Sequence, residues 1–127
     1  MRAARETATH RRQRAQRRGR FAEWLCLWHL QLRGWHILAR GWRCSSGEID
    51  ILARRGRVLA IIEVKSRNEL DAAASALSPR QRRRIARAAE AFLLSRPDLA
   101  RLEPRFDLML VAPLRVPRHW PGAWRVD

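Results

Sequence analysis

Two strand-like runs, residues 48–53 and 58–65, are separated only by Arg54-Arg55-Gly56-Arg57, and they constrain this chain more than any other stretch. A connection this short with a central glycine closes as an antiparallel hairpin. Pairing outward from Arg55-Gly56 sets Leu52 against Leu59, Asp50 against Ile61 and Glu48 against Glu63. Side chains alternate along each strand, so Glu48 and Asp50 share a face, as do Glu63 and Lys65; in this register the two faces are one. Three carboxylates and one ammonium are expected to converge.

That ammonium is singular. Lys65 is the only lysine among 27 basic residues. A guanidinium is a fixed fork that stays charged, whereas a lysine amine is a compact point charge whose pKa moves on desolvation, which suits it to chemistry. Asp50, twelve residues, then Glu63-Val64-Lys65 gives the spacing D-x12-E-x-K across the hairpin. Hydrolysis of a phosphodiester calls for a divalent ion on hard oxygen ligands, to activate water and neutralise charge in the transition state. Asp50 and Glu63 supply such oxygens, and the Val64 carbonyl is a candidate main-chain ligand. Lys65 would orient the attacking water or offset charge on the scissile phosphate.

The charge balance points the same way. A formal charge of +15 and a pI near 11.9 attract polyanions at ordinary ionic strength, with nucleic acid the first expectation. No stretch approaches 18 consecutive apolar residues and no basic-apolar-small signal peptide opens the sequence, so a cytoplasmic protein without membrane association is expected. Cys26 and Cys44 lack close metal-ligand spacing and read as ordinary packed or loop thiols. His10, His29, His36 and His119 show neither helical pairing nor a neighbouring cysteine pair, which argues against a histidine metal site.

At 127 residues the chain has room for one sheet-and-helix core. Residues 1–20 carry eight Arg and almost no large apolar side chains; they read as a basic, disordered arm preceding a single α/β domain over 21–127. Phe21, Trp24, Leu25, Trp28 and Leu32 recur at helical steps ahead of Gly34, and Trp24 and Trp28 are expected to pack in the core. Residues 35–40 read as a first strand and 44–47 as a turn. Residues 66–77 read as a loop. Ser78-Pro79 then opens a helix over about 80–94, with Ile85, Ala88, Ala89, Phe92 and Leu93 as its apolar positions. Arg80, Arg82, Arg83, Arg84 and Arg87 crowd its first two turns and suit contact with phosphates. Residues 105–111 form an interior strand, being apolar in their second half. The tail is expected to be irregular, with Trp120 and Trp124 covering the sheet. Arg105 and Asp107 read as a structural pair, and Asp98 and Glu103 as solvated residues of a connection.

Several ordered motifs, Ala22-Glu23, Gly34-Trp35-His36-Ile37-Leu38, Gly47-Glu48-Ile49-Asp50-Ile51-Leu52-Ala53, Ile62-Glu63-Val64-Lys65-Ser66-Arg67, residues 81–93 and Arg105-Phe106-Asp107, resemble the YraN-like UPF0102 group of small bacterial proteins. That group is itself similar to the PD-(D/E)XK nuclease superfamily and to archaeal Holliday-junction resolvases. The likeness covers about residues 19–125. It implies a restriction-endonuclease-like α/β core, a mixed sheet flanked by helices. It also implies Asp50 and Glu63 as carboxylates for Mg²⁺ or Mn²⁺, Lys65 as the catalytic lysine, Glu23 as a further acidic group from the first helix, and Glu48 as a residue that binds metal through water or fixes the hairpin. Gln81 stands where many relatives carry Lys, so neighbouring arginines, with Arg67 after the motif strand, would take over phosphate contact.

The resulting expectation is a metal-dependent endonuclease for branched or structured DNA. Its specificity would be for shape, since no major-groove reading module is present. Two other readings stand beside it: a non-catalytic nucleic-acid-binding module of the same fold, and an RNA-binding accessory protein of the ribosome. Cleavage of a four-way junction would favour a two-fold homodimer.

Overall fold

A computed structural model describes residues 20–66, 77–112 and 114–125. The arm, the stretch 67–76 and with it the expected phosphate contact of Arg67 lie outside these residues. Residues 20–32 are helical (α1). Three strands follow, β1 (His36–Cys44), β2 (Gly47–Arg55) and β3 (Val58–Ser66), then helix α2 (Pro79–Ser95), a 3-10 turn at Pro97–Leu99, β4 (Glu103–Val111) and β5 (Arg118–Trp120). The five strands form one sheet in the order β1-β2-β3-β4-β5. Every neighbouring pair is antiparallel except β3 and β4, which are parallel. A parallel partner requires a long crossover, and α2 lies within it.

The hairpin forms, in a register two residues away from the expected one. Arg55 pairs with Val58, Ala53 with Ala60 and Ile51 with Ile62, leaving Gly56 and Arg57 as a two-residue turn. Gly56 sits at φ 61°, the left-handed conformation that a tight hairpin needs at its first central position and that glycine adopts without steric cost. The expected register centred the turn on Arg55-Gly56; the observed one moves it on by one residue, to Gly56-Arg57. A slip of two keeps every side chain on its face, so the convergence of Asp50 with Glu63 survives the correction.

The helices cover opposite faces. α2 buries Ile85, Ala88, Ala89 and Phe92 with Leu52, Leu59 and Ile61 of the sheet. α1 buries Ala22, Cys26 and Leu30 against Ile51, Ala53, Ala60, Ile62 and Met109. Trp24 and Trp28 are not in this core: they remain 49% and 51% exposed, beside exposed Phe21 and Leu32. Two stripes at helical spacing compete for the sheet, and the one with small residues wins because Ala22 and Cys26 let the helix approach closely. The indoles are left outside, Trp24 edge-on to Trp28 at 5.9 Å.

Capping accounts for α2. Ser78 Oγ accepts from the Gln81 amide at 3.2 Å, Pro79 occupies the first turn, and Pro97 follows the last. β1 runs four residues beyond the stretch expected for it, through a register shift between Ile37 and Ala39. The tail is also more regular than expected, since β5 pairs with β4 through Met109 and His119. Trp124 does cover the sheet, stacked on Phe106 at 4.2 Å, whereas Trp120 remains 37% exposed.

Asp107, fully buried on β4, ties this end together. It accepts from Arg105 Nε at 2.8 Å and Nη2 at 2.9 Å, from His119 Nε2 at 2.7 Å and from the Gly122 amide at 2.9 Å. Burial alone would raise its carboxyl; the hydrogen bonds from His119, Arg105 and Gly122 outweigh that and hold it below the usual range. This is the structural role expected of the Arg105–Asp107 pair. Asp98, expected to be solvated, is on the surface and ion-paired with Arg96. None of the described helices is long and apolar enough to cross a membrane.

Candidate active site

The β2–β3 pairing stops at Ile51↔Ile62, one residue short of Asp50 and Glu63. Beyond that point Asp50 Oδ2 takes the place of a main-chain carbonyl and accepts from the Val64 amide at 2.8 Å. Alternation also breaks here: Ile49 packs in the α2 cluster and Ile51 in the α1 cluster. The parting of the strands brings Asp50 to face Glu63, close enough for each carboxyl to shift the other's pKa.

Two carboxyls brought together in a half-buried site favour the protonated form of one of them. Burial, and then the charge of Asp50, pushes Glu63 up to about 8, against the smaller opposing effect of Lys65. Burial also raises Asp50, and the Val64 amide offsets part of that rise. Lys65 Nζ lies 3.9 Å from Glu63 Oε1, the one ammonium at the edge of a half-buried acidic pair.

Glu48, Asp50 and Glu63 line one wall of a cavity of about 510 Å³ whose other wall is the start of α2, through Ser78, Arg80, Gln81 and Arg84. Gly47 permits the close approach: a Cβ there would lie 3.4 Å from the Arg84 carbonyl oxygen. Arg84 Nε donates to the Ser46 carbonyl at 3.4 Å, fixing α2 over the β1–β2 turn. No acidic residue occupies the first turn of α2, although carboxylates are the residues that a helix N-terminus favours. Arginines there are unfavourable to the helix itself and leave the position electropositive.

The expected site residues divide as follows. Asp50, Glu63, Glu48, Arg80, Gln81 and Arg84 meet at one cavity. Lys65 joins through Glu63. Glu23, on α1, is raised by burial first and then by the charges of Asp50 and Glu48, with Arg40 opposing, so it stands within electrostatic reach of the pair. Arg82 and Arg83 do not line the cavity; Arg82 Nε turns back and donates to the Leu77 carbonyl at 3.1 Å, tying the preceding chain to the helix start. Val64 contributes its amide. Glu48 also meets Arg43 at 3.3 Å on the exposed side. Sequence reasoning missed Gly47 and Ser78 as parts of the wall, and the Ser46 carbonyl that anchors Arg84. Glycine next to Glu48, at a strand start, was the signal for a close backbone approach.

Among the described residues no three acidic, histidine or cysteine side chains form a ready metal cage. The pair fits a smaller demand: Mg²⁺ keeps most of its waters and binds proteins through one or two carboxylates, completed by substrate phosphate. The Asp50–Glu63 pair holds a proton where such an ion would sit. Cys26, buried under α1, has its thiol pushed up to about 12 by burial first and then by Glu23 and Asp50, and is inert as a ligand.

A sequence profile described as uncharacterised protein family UPF0102 matches residues 22–111, a span that includes α1, the three-strand meander, α2 and β4. The chain belongs to the UPF0102 family. A UPF0102 protein of Paramagnetospirillum magneticum is 51% identical over 119 residues, covering 91% of this chain and 92% of the relative. One from Parvibaculum lavamentivorans is 49% identical over 111 residues, covering 87% and 84%. One from Methylorubrum extorquens is 46% identical over 124 residues, covering 98% and 92%. UPF0102 membership thus spans every element that supplies the carboxylate cavity.

Proposed function

We propose that this UPF0102 protein is a nucleic-acid-binding protein with a restriction-endonuclease-like core, acting as a metal-dependent endonuclease on branched or structured DNA. The observation that carries the reading is the juxtaposition of Asp50 and Glu63, with Lys65 3.9 Å from Glu63, in a cavity whose opposite wall is Arg80, Gln81 and Arg84. Acid for a cation stands opposite base for a phosphate across one cavity.

Asp50 and Glu63 would hold Mg²⁺ or Mn²⁺, with Glu48 and Glu23 acting through water and the Val64 carbonyl as a further oxygen. When bound, such an ion supplies Lewis acidity and a more acidic water. Lys65 orients the nucleophilic water by hydrogen bonding and offsets charge gathering on the phosphate. Arg80 and Arg84 bind the backbone on either side of the scissile bond, and Gln81 contributes an uncharged contact where a lysine would add another cation. A four-way junction has two bonds to cut, so a two-fold pair of chains is the assembly that suits it.

The test is incubation of purified protein with fork, flap and four-way DNA in Mn²⁺, beside Glu63→Ala and Lys65→Ala. Cutting by the unsubstituted protein and its loss in both variants is the expected result; equal cutting by all three would identify a contaminant and end the assignment. The second reading, a non-catalytic module of the same fold, is favoured by one feature: Glu63, raised to about 8, is neutral at pH 7 and needs no ion to balance it. Salt-sensitive binding with no cleavage, and no heat of divalent-ion binding, would select it.

A further inference from the structure

A second cavity, of about 550 Å³, opens at the other end of β2, between the end of α1, the hairpin tip and β5. Arg33, Arg55, Arg105 and Arg118 line it together with Trp35 and Trp120, and no acidic residue does. Arg105 is neutralised by Asp107 behind it. Arg33, Arg55 and Arg118 have no carboxylate partner among the described residues. From Asp50 to Arg55 is five residues of strand, roughly 17 Å at the usual rise per residue. The two cavities are separate places.

Two of the three free guanidiniums are held by groups that do not cancel their charge. Arg55 Nη1 donates to the Arg33 carbonyl at 3.2 Å, and its guanidinium lies 4.5 Å from the centroid of the buried Trp35 ring. Arg33 Nη1 donates to His29 Nδ1 at 2.9 Å; guanidinium cannot accept, so the His29 proton sits on Nε2. Burial, followed by the charges of Arg33 and His119, lowers the His29 pKa and keeps that ring a neutral acceptor. Cations fixed in this way around one cavity repel each other, and an anion between them relieves the repulsion with little side-chain ordering left to pay.

We propose that this cavity is a phosphate-ester site, with Arg33, Arg55 and Arg118 on the phosphate and the half-exposed Trp120 against the attached nucleoside. Guanidinium forks match phosphate oxygens in pairs, and the volume exceeds that of a lone inorganic anion. The phosphate is that of a free 5′-mononucleotide or of a nucleic-acid strand. The site needs no metal and does not rest on the nuclease reading.

The test follows the tryptophan indole NMR signals of the full chain titrated with a 5′-mononucleotide, the matching nucleoside, inorganic phosphate and a short 5′-phosphorylated single strand. The expected result is movement of the Trp35 and Trp120 signals with the phosphate-bearing ligands and not with the nucleoside. The exposed double substitution Arg33→Gln/Arg118→Gln is expected to weaken this by about tenfold or more, through loss of two charge-assisted contacts, with Trp42 and Trp124 signals unchanged as the folding control. Glu63→Gln should bind as the unsubstituted protein. A strand binding at least about tenfold tighter than the mononucleotide, as added phosphates imply, assigns the site to nucleic acid; comparable affinities assign it to the free nucleotide. Still signals with every phosphate ligand, an equal response to the nucleoside, unchanged affinity in the double variant, or loss in Glu63→Gln would each overturn the proposal.

Discussion

The Val64 amide donates to Asp50 Oδ2 at 2.8 Å, at the point where β2 and β3 cease to pair. A main-chain donor that would have served the sheet instead holds a carboxylate beside Glu63, and the chemistry available at the site follows from that exchange.

Metal binding should release a proton. Glu63 keeps its proton up to about 8, and an ion on the pair must displace it. Calorimetry of Mn²⁺ binding in buffers of different ionisation heat should show about one proton released per ion near pH 7, declining above pH 9. Affinity should rise over the same range. Binding without proton release would show that the ion sits elsewhere.

The same pair makes metal-free stability fall with pH. A carboxyl whose folded pKa is raised from 4.5 to about 8 binds more protons in the folded than in the unfolded state between those values. Its contribution is therefore complete below 4.5 and is lost as pH rises through 8. Glu63→Gln, neutral throughout, should remove that slope and unfold in urea at a higher midpoint than the unsubstituted protein at pH 8, by on the order of several kcal/mol at most.

Arginines of α2 should separate by direction. If Arg80 and Arg84 contact phosphates, Arg80→Gln and Arg84→Gln should each lower the slope of log affinity against log salt by about 1. Arg82→Gln should leave the slope nearly unchanged, because its guanidinium is turned to the Leu77 carbonyl. Equal slopes for all three variants would mean that net charge alone governs binding.

Asp107→Asn should cost about 1–3 kcal/mol, since it leaves the half-buried Arg105 and His119 without their counter-charge and one donor facing an amide nitrogen. Its depressed pKa adds an acid limb: stability present above the ordinary 3.8 is lost as pH falls through the lower folded value. Urea midpoints for the variant and the unsubstituted protein should converge at low pH.

The faces of α1 should differ sharply. Leu30→Ala, in the core, should cost about 2–5 kcal/mol, and Trp28→Gln, on the open face, should change stability by no more than about 0.5 kcal/mol.

Much of this was legible in the sequence, for reasons specific to each element. α2 was readable because Ser78-Pro79 and the Ile85–Phe92 spacing act locally, and the expected 80–94 lies within Pro79–Ser95. The meeting of Asp50 with Glu63 was readable because face depends on parity, which a two-residue slip preserves. Register itself was missed, as it is decided by the backbone conformation of Gly56. The buried face of α1 was misread because periodicity locates stripes without saying which one fits the sheet, and size favoured Ala22 and Cys26 over the indoles. β5 was hidden because three residues among prolines carry no alternation; its place is set by Asp107 reaching His119 and Gly122. The raised pKa of Glu63 depends on burial, a property of the folded chain.

β3 stays paired with β4 from Val58↔Glu103 to Ser66↔Val111, well past the point where β2 leaves it. Glu63, Val64 and Lys65 are thus bolted along Leu108, Met109 and Leu110, while Asp50 rides on a strand end steadied by β1 and one side-chain hydrogen bond. Glu63 and Lys65 are therefore positioned by β4, and Asp50 by β1 and the Val64 amide, so the two members of the carboxylate pair answer to different neighbours in the sheet.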